Sequence, residues 1–303
     1  MSEADAAAVI TRAYRDEWAR LIATLARRLG DLDTAEESVA EAFAVAVERW
    51  PVDGVPVNPG AWLTTTAYRK GVDRIRRDSK RDAKQEEAQR LGDGNTAPAG
   101  DIDDDRLRLL FTCCHPALAI ESRVALTLRM VGGLTVPEIA RAFLVQESAM
   151  GQRITRAKAK IRTAGIPYRV PAAAELPERV SGVLAVLFLV FNEGYLATGP
   201  GSDPVRADLT AEAIRLARLV HDLLPDNGEV TGLLALMLLT EARRPARVSS
   251  TGELVTLVEQ DRGSWDAGLV GEGHRLVRQR LESGEAPGPY QLLAAINAVH
   301  TSA

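Results

Sequence analysis

The chain has 303 residues, of which 46% are hydrophobic, so it is long enough to form two or three domains with apolar cores. Its amino terminus carries charges within the first five positions, and it contains no long uninterrupted apolar run. These features exclude a secretory signal and a membrane span and indicate a cytoplasmic protein. The net charge of −4 does not exclude a nucleic-acid partner, because the charges are segregated along the chain.

Apolar residues recur at intervals of three and four in nearly every extended segment, which predicts an all-α fold. Segments rich in glycine and proline divide the chain. We predict a first domain at 1–82, a flexible acidic linker at 83–104, a second domain at 105–166, a short linker at 167–175 and a helical region at 176–303.

The first unusual segment is acidic. Residues 31–48 contain six acids and no base. Helical spacing predicts that one face buries Ala35, Val39, Ala42, Phe43, Ala46 and Trp50, and that the opposite face presents Asp33, Glu37, Glu41 and Glu48. Such a helix repels DNA, so it favours a basic protein surface as partner; a merely solvated face is an equal alternative.

The next helix, predicted within 58–81, is basic. Tyr68, Val72 and Ile75 are expected to form its inward stripe, with Asp73 placed to hold its neighbouring arginines. The opposite arc then presents Arg69, Lys70, Arg74, Arg76, Arg77, Lys80 and Arg81. This face suits a phosphate backbone, with a solvated surface as the alternative, and it is expected on the side of the domain opposite the acidic helix. Trp62 could stack on a base or pack in the core.

Residues 134–162 have the length and rhythm of a helix-turn-helix. Thr135 and Glu138 form a predicted capping box for a short first helix, and Leu144 lies in the turn, where glycine is frequent. The second helix is expected to bury Met150, Ile154, Ala157 and Ile161. It would turn Ser148, Gln152 and Thr155 toward base edges and Arg153, Arg156, Lys158 and Lys160 toward phosphates.

The only two cysteines, Cys113 and Cys114, are adjacent and are followed by His115. This spacing does not suit a metal loop, and no further cysteine completes a ligand set. Buried, inert thiols are the favoured interpretation, with metal or redox chemistry as the alternative.

In this order, the segments resemble the extracytoplasmic-function (ECF) group of bacterial sigma-70 family sigma factors. Residues 35–43 are similar to region 2.2, residues 58–77 to regions 2.3 and 2.4, and residues 134–162 to region 4.2. The resemblance implies a subunit that binds RNA polymerase core, at its β′ clamp and β flap, and selects promoter DNA. It implies no enzyme activity, no metal and no cofactor, and a monomer is expected outside the polymerase complex.

The resemblance also implies roles for single residues. Core polymerase would contact Asp33, Glu36, Glu37, Glu41 and Phe43. The melted −10 element would contact Asn58, Trp62, Arg69, Lys70, Asp73, Arg74, Arg76 and Arg77. The −35 major groove would receive Ser148, Gln152, Arg153, Thr155, Arg156, Lys158 and Lys160. The chain departs from the family pattern at Ala40, where glutamine is frequent, and at Leu144 and Gln146, where the turn usually has glycine and serine.

Residues 111–118 and 183–195 together resemble a subgroup of these sigma factors with a tetratricopeptide-like carboxyl extension. The resemblance places Cys113, Cys114 and His115 at the opening of the first helix of region 4. In the extension, Asn192, Glu193 and Tyr195 could bind a ligand, a partner or another domain, or could simply end a helix. We expect the extension to contact the sigma domains and regulate them, and the sequence to be either truncated or a short natural form.

Three other functions fit less of the sequence. A helix-turn-helix regulator that acts without polymerase has no use for the acidic helix or the second basic helix. A helical-repeat scaffold explains neither basic helix. An enzyme would need a catalytic motif, and the sequence has no P-loop, no G-x-G-x-x-G after a strand and no H-E-x-x-H.

Overall fold

The computed structural model describes residues 3–82, 102–195, 207–249 and 253–302. It confirms the all-α prediction. The helices in chain order are α1 (Glu3–Leu29), α2 (Leu32–Asp53), α3 (Pro59–Asp82), α4 (Ile102–Cys113), α5 (Ile120–Met130), α6 (Val136–Ala142), α7 (Glu147–Thr163), α8 (Leu176–Tyr195), α9 (Ala207–Leu223), α10 (Gly228–Glu241), α11 (Arg244–Arg247), α12 (Ala267–Glu282) and α13 (Pro289–Ser302). A short 3₁₀ helix at Arg262–Ser264 and an isolated β-bridge between Val248 and Leu254 complete the regular structure of these residues.

The chain forms two compact units. The first comprises Met1–Ile139 and Glu147–Leu176, and the second comprises Ala140–Gln146 and Pro177–Ala303. Of the linker predicted at 83–104, residues 83–101 lie outside the described residues. None of the described helices is both long and apolar enough to cross a membrane.

In the first unit, α1, α2 and α3 pack against one another, and α1 also packs against α4 and α5. Helix α2 begins where the Asp31 carboxylate accepts the Thr34 N–H at 2.7 Å, an N-cap that satisfies an otherwise unpaired donor. It ends beyond Pro51, at Gly54, whose φ of 87° favours glycine. The predicted inward set of α2 is confirmed, since all six residues are buried.

The inward stripe predicted for α3 was wrong. Tyr68 and Ile75 are exposed, and the residues that pack inward are Leu63 and three small residues, Gly60, Ala67 and Gly71. A Cβ atom at Gly71 would clash with the Leu29 side chain, so glycine lets α3 approach α1 closely. Large apolar residues alone therefore mislead the assignment of this face.

The helix-turn-helix prediction is confirmed by α6 and α7 and by the four buried residues of α7. The capping box is present, because Glu138 accepts the Thr135 N–H at 2.7 Å and the Thr135 hydroxyl accepts the Glu138 N–H at 3.4 Å. Leu144 has a φ of 52°, the left-handed conformation that explains why such turns favour glycine.

In the second unit, α10 packs against α9, α12 and α13. It is buried along nearly its whole length, from Val230 to Ala242. The Glu229 carboxylate accepts the N–H groups of Tyr290 and Gln291 at 3.1 and 3.2 Å, which caps the first turn of α13. The helices predicted in the extension are thus present around one central helix.

Candidate nucleic-acid interface

The acidic residues of α2 form two groups with different neighbours. Glu37 and Glu41 face α3, whereas Asp33 and Glu36 face α7 and α5. Each group is paired with basic side chains of the protein itself, whereas Glu48 of the same helix belongs to neither group and is exposed.

The first group joins the acidic and basic helices of the same domain. Arg74 donates to Glu41 at 2.8 Å and also pairs with Glu37, and the Lys70 ammonium lies 3.5 Å from Glu41. We expected these acids and bases on opposite surfaces, and the structure corrects this. Arg74 follows Gly71 by three residues, so it continues the inward stripe of α3 and meets α2 at its edge.

The remaining basic residues of α3 point to solvent. Asp73, Arg76, Arg77 and Lys70 line an open surface depression, and Arg69 is exposed beside it. Arg77 donates to the main-chain oxygen of Asp73 at 3.3 Å. The side chains of Lys80 and Arg81 lie outside those the structure describes.

Asn58 and Trp62 have structural partners at the start of α3. The exposed Asn58 side chain accepts the Ala61 N–H at 3.0 Å and so caps the helix. Trp62 is half-buried, with its ring edge-on to Trp50 at 5.5 Å between centroids. The core-packing interpretation of Trp62 therefore has a contact to support it, and base stacking remains a prediction.

The outer face of α7 matches most of the predicted set. Ser148, Gln152, Thr155, Arg156 and Lys160 are exposed, and Arg153 is half-buried. Gln152, Arg153 and Arg156 line a surface depression with the first turn of α5, at Glu121 and Ser122. Arg156 donates to Gln152 at 2.8 Å, so the amide and the guanidinium are held together on one surface.

Lys158 departs from the predicted set. Only 11% of its side chain is exposed, and its ammonium lies between the carboxylates of Asp33 and Glu36, 2.8 Å from the latter. It faces inward because it follows the buried Ile154 by four residues on the same side of α7. Lys158 therefore pairs with α2 in this structure, and its phosphate contact stays a prediction.

Glu36 is the centre of this second acidic group. Its side chain is 12% exposed and pairs with both Lys158 and Arg129 of α5, while Arg162 of α7 lies 3.4 Å from Asp33. Burial raises the pKa of Glu36, but the two cations outweigh burial and hold that pKa below its usual value. Burial lowers the pKa of Lys158, but the carboxylates of Glu36 and Asp33 outweigh it, and the net pKa is raised. Both shifts favour the charged pair.

Aromatic contacts surround the same ion pairs. The Tyr14 hydroxyl donates to the Gly133 oxygen at 2.9 Å, and the Trp18 indole N–H donates to the Arg129 oxygen at 3.1 Å. The Arg129 guanidinium lies 5.2 Å from the centre of the Trp18 ring, within cation–π range. These contacts join α1 to α5 and to the segment that follows it, and the sequence analysis missed them.

Phe43 belongs to this aromatic cluster. It is 6% exposed and packs against Tyr14 and Trp18, with ring centroids 5.0 and 6.4 Å apart. It follows Val39 by four residues on the inward face of α2, which places it in the core of this structure, and the polymerase contact assigned to it above stays a prediction.

Cys113 and Cys114 are buried and unlinked, as favoured above. Cys114 contacts the Thr127 hydroxyl at 3.3 Å, and burial raises the pKa of the Cys113 thiol well above its usual value, which keeps it protonated and unreactive. The pair lies at the end of α4, so the expectation that it opens this helix was wrong. No cluster of potential metal ligands occurs in the part of the chain that the structure describes.

In the extension, the predicted residues Asn192, Glu193 and Tyr195 form the last turn of α8. Tyr195 stacks on Phe191, and the buried Arg247 covers its other side, 3.2 Å from the ring centre, and donates to its main-chain oxygen. Tyr195 thus connects α8 to α11. Asn192 is exposed, and its binding role stays a prediction.

Comparison with protein families matches all three parts of the chain. Residues 13–81 match sigma-70 region 2, and residues 108–161 match sigma-70 region 4. Residues 179–281 match a family of unknown function, DUF6596. No solved structure matches the chain significantly.

Two relatives cover most of the sigma regions. The probable ECF RNA polymerase sigma factor SigI of Mycobacterium tuberculosis (strain CDC 1551 / Oshkosh) is 30% identical over 207 residues, which span 64% of this chain and 70% of SigI. The ECF RNA polymerase sigma factor SigK of Mycobacterium bovis (strain BCG / Pasteur 1173P2) is 29% identical over 160 residues, or 49% of this chain and 81% of SigK. The chain belongs to the ECF sigma factors of the sigma-70 family.

The family membership explains the two basic helices of this ECF sigma factor, because its partners are RNA polymerase core and promoter DNA. An uncharacterized protein of Rhizobium meliloti (strain 1021) is 44% identical over 286 residues, which span 92% of this chain and 67% of that protein. That similarity includes the extension, so the sigma regions and the carboxyl-terminal helices occur together in a second protein. The tetratricopeptide-like character of the extension stays a prediction.

Proposed function

We propose that this sigma factor docks on polymerase core through four acids of α2, Asp33, Glu36, Glu37 and Glu41, and contacts promoter DNA through the outer faces of α3 and α7. The proposal is supported by the segregation of charge among these three helices. Glu37 is 53% exposed on α2, and the outward arginines of α3 and α7 lie on separate surfaces. An acidic surface repels DNA and suits a basic protein surface, whereas the arginines suit phosphates.

Helix α7 supplies the −35 contacts in this proposal. Ser148, Gln152 and Thr155 lie outward at its centre, where hydrogen-bonding side chains can reach base edges in a major groove. Arg153 and Arg156 border the depression at the first turn of α5. The two guanidinium groups suit a backbone phosphate, which would set the register of α7 on the DNA.

Helix α3 supplies the −10 contacts. The open depression lined by Lys70, Arg76 and Arg77 is suited to the backbone of a separated strand, because its cations lie in solvent without a buried carboxylate partner. Asp73, at the edge of the same depression, restricts where a phosphate can approach. Trp62 is half-buried beside Trp50, so only part of its ring could be offered to a base.

The test of this function uses Glu37→Lys, with Glu48→Lys as the matched control at an exposed acid of the same helix. We expect Glu37→Lys to weaken binding to core polymerase and to reduce promoter-specific run-off transcripts by about tenfold, because a repulsive charge replaces an attractive one. Binding to a duplex without polymerase should be unchanged.

The transcription assay also separates this function from a helix-turn-helix regulator that acts alone. A sigma factor yields promoter-specific transcripts only with core polymerase from which other sigma factors have been removed. The proposal fails if Glu37→Lys and Glu48→Lys behave alike, or if the protein shows no dependence of promoter recognition on core.

We further infer that the ion pairs between α2 and α7 hold the free sigma factor in a closed form. Asp33 and Glu36 cannot meet polymerase while Lys158 lies between them. Opening must replace these pairs with polymerase contacts, so the fraction of open molecules reduces the apparent affinity for core.

Lys158→Ala tests this closed form, with Lys160→Ala as control, since Lys160 is exposed on the same helix. Loss of the pairs should raise the open fraction, and we expect core polymerase to bind Lys158→Ala about tenfold more tightly than the unchanged protein. Fluorescence anisotropy of a labelled sigma factor would measure the affinities. Equal or weaker binding than that of Lys160→Ala would contradict the inference.

We propose that the carboxyl-terminal extension regulates transcription by this sigma factor. Support comes from the match of residues 179–281 to one family and from the occurrence of all three parts in the Rhizobium relative. Deletion of residues 176–303 should alter run-off transcription from a cognate promoter. Unchanged transcription by a soluble, helical truncated protein would reject this role.

A further inference from the structure

The second unit contains a cavity of about 180 Å³ between α10, α12 and α13. Its lining includes small residues, Ala235 of α10 and Ala294 and Ala295 of α13, while Gly232 lets the main chain of α10 approach α13 closely at Gln291. Protein interiors hold few voids larger than one water molecule, and an apolar cavity of roughly 150 Å³ is large enough to bind benzene. The cavity opens to solvent beside Leu281 and Leu292, so a ligand can enter it, and its apolar lining gains dispersion contacts when an apolar ligand replaces water.

One end of the cavity is polar. The Arg280 side chain is only 14% exposed, and its Nε donates to the Gln291 side-chain oxygen at 3.3 Å. Its guanidinium also lies close to α10, since a Cβ atom at Gly228 would be 2.7 Å from Nη2. Glycine at that position therefore leaves the space that the guanidinium occupies.

The ion-pair partner of Arg280 is replaceable. Glu285 pairs with the guanidinium but is 67% exposed and lies in the short segment between α12 and α13. An exposed carboxylate contributes little to such a pair, whereas a carboxylate inside the cavity would meet a mostly buried guanidinium at the Nη2 that now donates to Glu285.

The rest of the lining is mostly apolar, apart from Thr231, Glu285 and Gln291. Leu276 and Val277 of α12 form one wall, and Leu281 and Leu292, both exposed, lie at the rim. Ligand sites typically combine an apolar lining with a few polar groups that orient the ligand. Here the polar group is a cation, and the apolar volume suits a single six-membered ring.

We propose that this cavity binds a small hydrophobic carboxylate, with its ring or branched chain against α10 and α13 and its carboxylate on Arg280 in place of Glu285. This binding site goes beyond the proposed function and does not rest on it, because the ligand would bind the second unit whether or not the first directs transcription.

Benzoate is the probe for the test, with benzamide as a neutral molecule of the same shape and acetate as a carboxylate without a ring. Isothermal titration of the full chain should give saturable binding of one benzoate with a Kd on the order of 0.1 to 1 mM. Benzamide should bind about tenfold more weakly, because it lacks the charge that Arg280 recognises, and acetate should show no saturable binding.

Two substitutions test the location. Ala295→Leu fills the cavity and Arg280→Gln removes its cation, and each should weaken benzoate binding by about tenfold or more. Leu293→Ala and Arg278→Gln are matched controls at exposed positions of α13 and α12 outside the lining, and they should leave the Kd unchanged.

The proposal is overturned if benzoate does not saturate, if benzamide binds as tightly as benzoate, or if the two cavity variants bind like the controls. Circular dichroism would verify that each variant keeps its helices. Should Ala295→Leu fail to fold, Val277→Phe fills the same space from the α12 wall, and unchanged benzoate binding to that variant would equally reject the site.

Discussion

Two sets of acid–base pairs extend from the same helix, α2, and they differ in burial and in what they connect. Glu37 and Glu41 pair with α3, within the three-helix region, on a largely exposed surface. Glu36 pairs with Arg129 and Lys158, which lie more than ninety residues away, and all three side chains are mostly buried. The first set shapes one surface, whereas the second joins the two sigma regions.

The difference shows that net charge along a helix does not reveal what the charges do. Exposed pairs are screened by solvent and contribute little to stability, whereas removing one partner of a buried pair leaves a charge without compensation. The second set can therefore hold the regions together, and breaking it requires a partner that offers equivalent charges.

The largest expected effect is that of Glu36→Ala. It leaves Arg129 and Lys158 mostly buried around a missing carboxylate and should lower the free energy of unfolding of the first unit by about 3 kcal/mol. Urea unfolding of the full chain, followed by tryptophan fluorescence, would measure it. Glu37→Ala is the control at an exposed pair and should cost less than about 0.5 kcal/mol. Equal losses would remove the distinction between the two sets.

Acidification should lower the stability of the folded protein through Glu36. Because the folded-state pKa of Glu36 is lowered, its contribution to stability is present above the ordinary glutamate pKa and is lost as the pH falls toward the lowered value. We expect the unchanged protein to lose stability over this acidic range more steeply than Glu36→Gln, which has no charge to titrate. Thermal unfolding at a series of pH values would compare the two, and parallel profiles would contradict the assignment.

A smaller effect, on the salt dependence of DNA binding, should distinguish Arg156 on the outer face of α7 from Lys158 on its inner face. Arg156→Ala should reduce the slope of log K against log salt for duplex binding, without polymerase, by about one unit, because one phosphate contact is lost. Lys158→Ala should leave that slope unchanged, since this ammonium faces α2. Fluorescence anisotropy at several salt concentrations would show the contrast. A reduced slope for Lys158→Ala would mean that its ammonium reaches DNA.

The smallest expected change is that of Lys70→Ala. Its ammonium lies 3.5 Å from Glu41, and both side chains are substantially exposed. We expect the free energy of unfolding to change by less than about 0.5 kcal/mol. A loss as large as that of Glu36→Ala, measured by the same urea unfolding, would show that exposure is the wrong criterion for separating the pairs.

Local periodicity predicted much of this molecule. The inward face of α2, the inward face of α7 and the capping box at Thr135 all depend on residues within one or two helical turns, and all are confirmed. Leu144 stands where such turns often have glycine, and its backbone has the left-handed conformation that glycine favours.

The sequence could not predict features that depend on small residues or distant partners. On α3, Ala67 and Gly71 face inward because they allow close helix packing, and a count of large apolar residues selects the wrong stripe. The pairing of Lys158 with Glu36 joins residues 122 positions apart, and no local pattern encodes such a contact. Long-range electrostatics therefore changed the assignment of Lys158, although its type and helix were predicted.

The indole of Trp18 supplies an intrinsic optical reporter. Its N–H is bonded to the Arg129 carbonyl, and its ring lies under the Arg129 guanidinium, whereas Trp50 and Trp62 pack on each other. Separation of the two sigma regions would expose this indole to water and red-shift its emission. The molecule thus carries a label by which its own opening can be followed in real time, without attaching a dye.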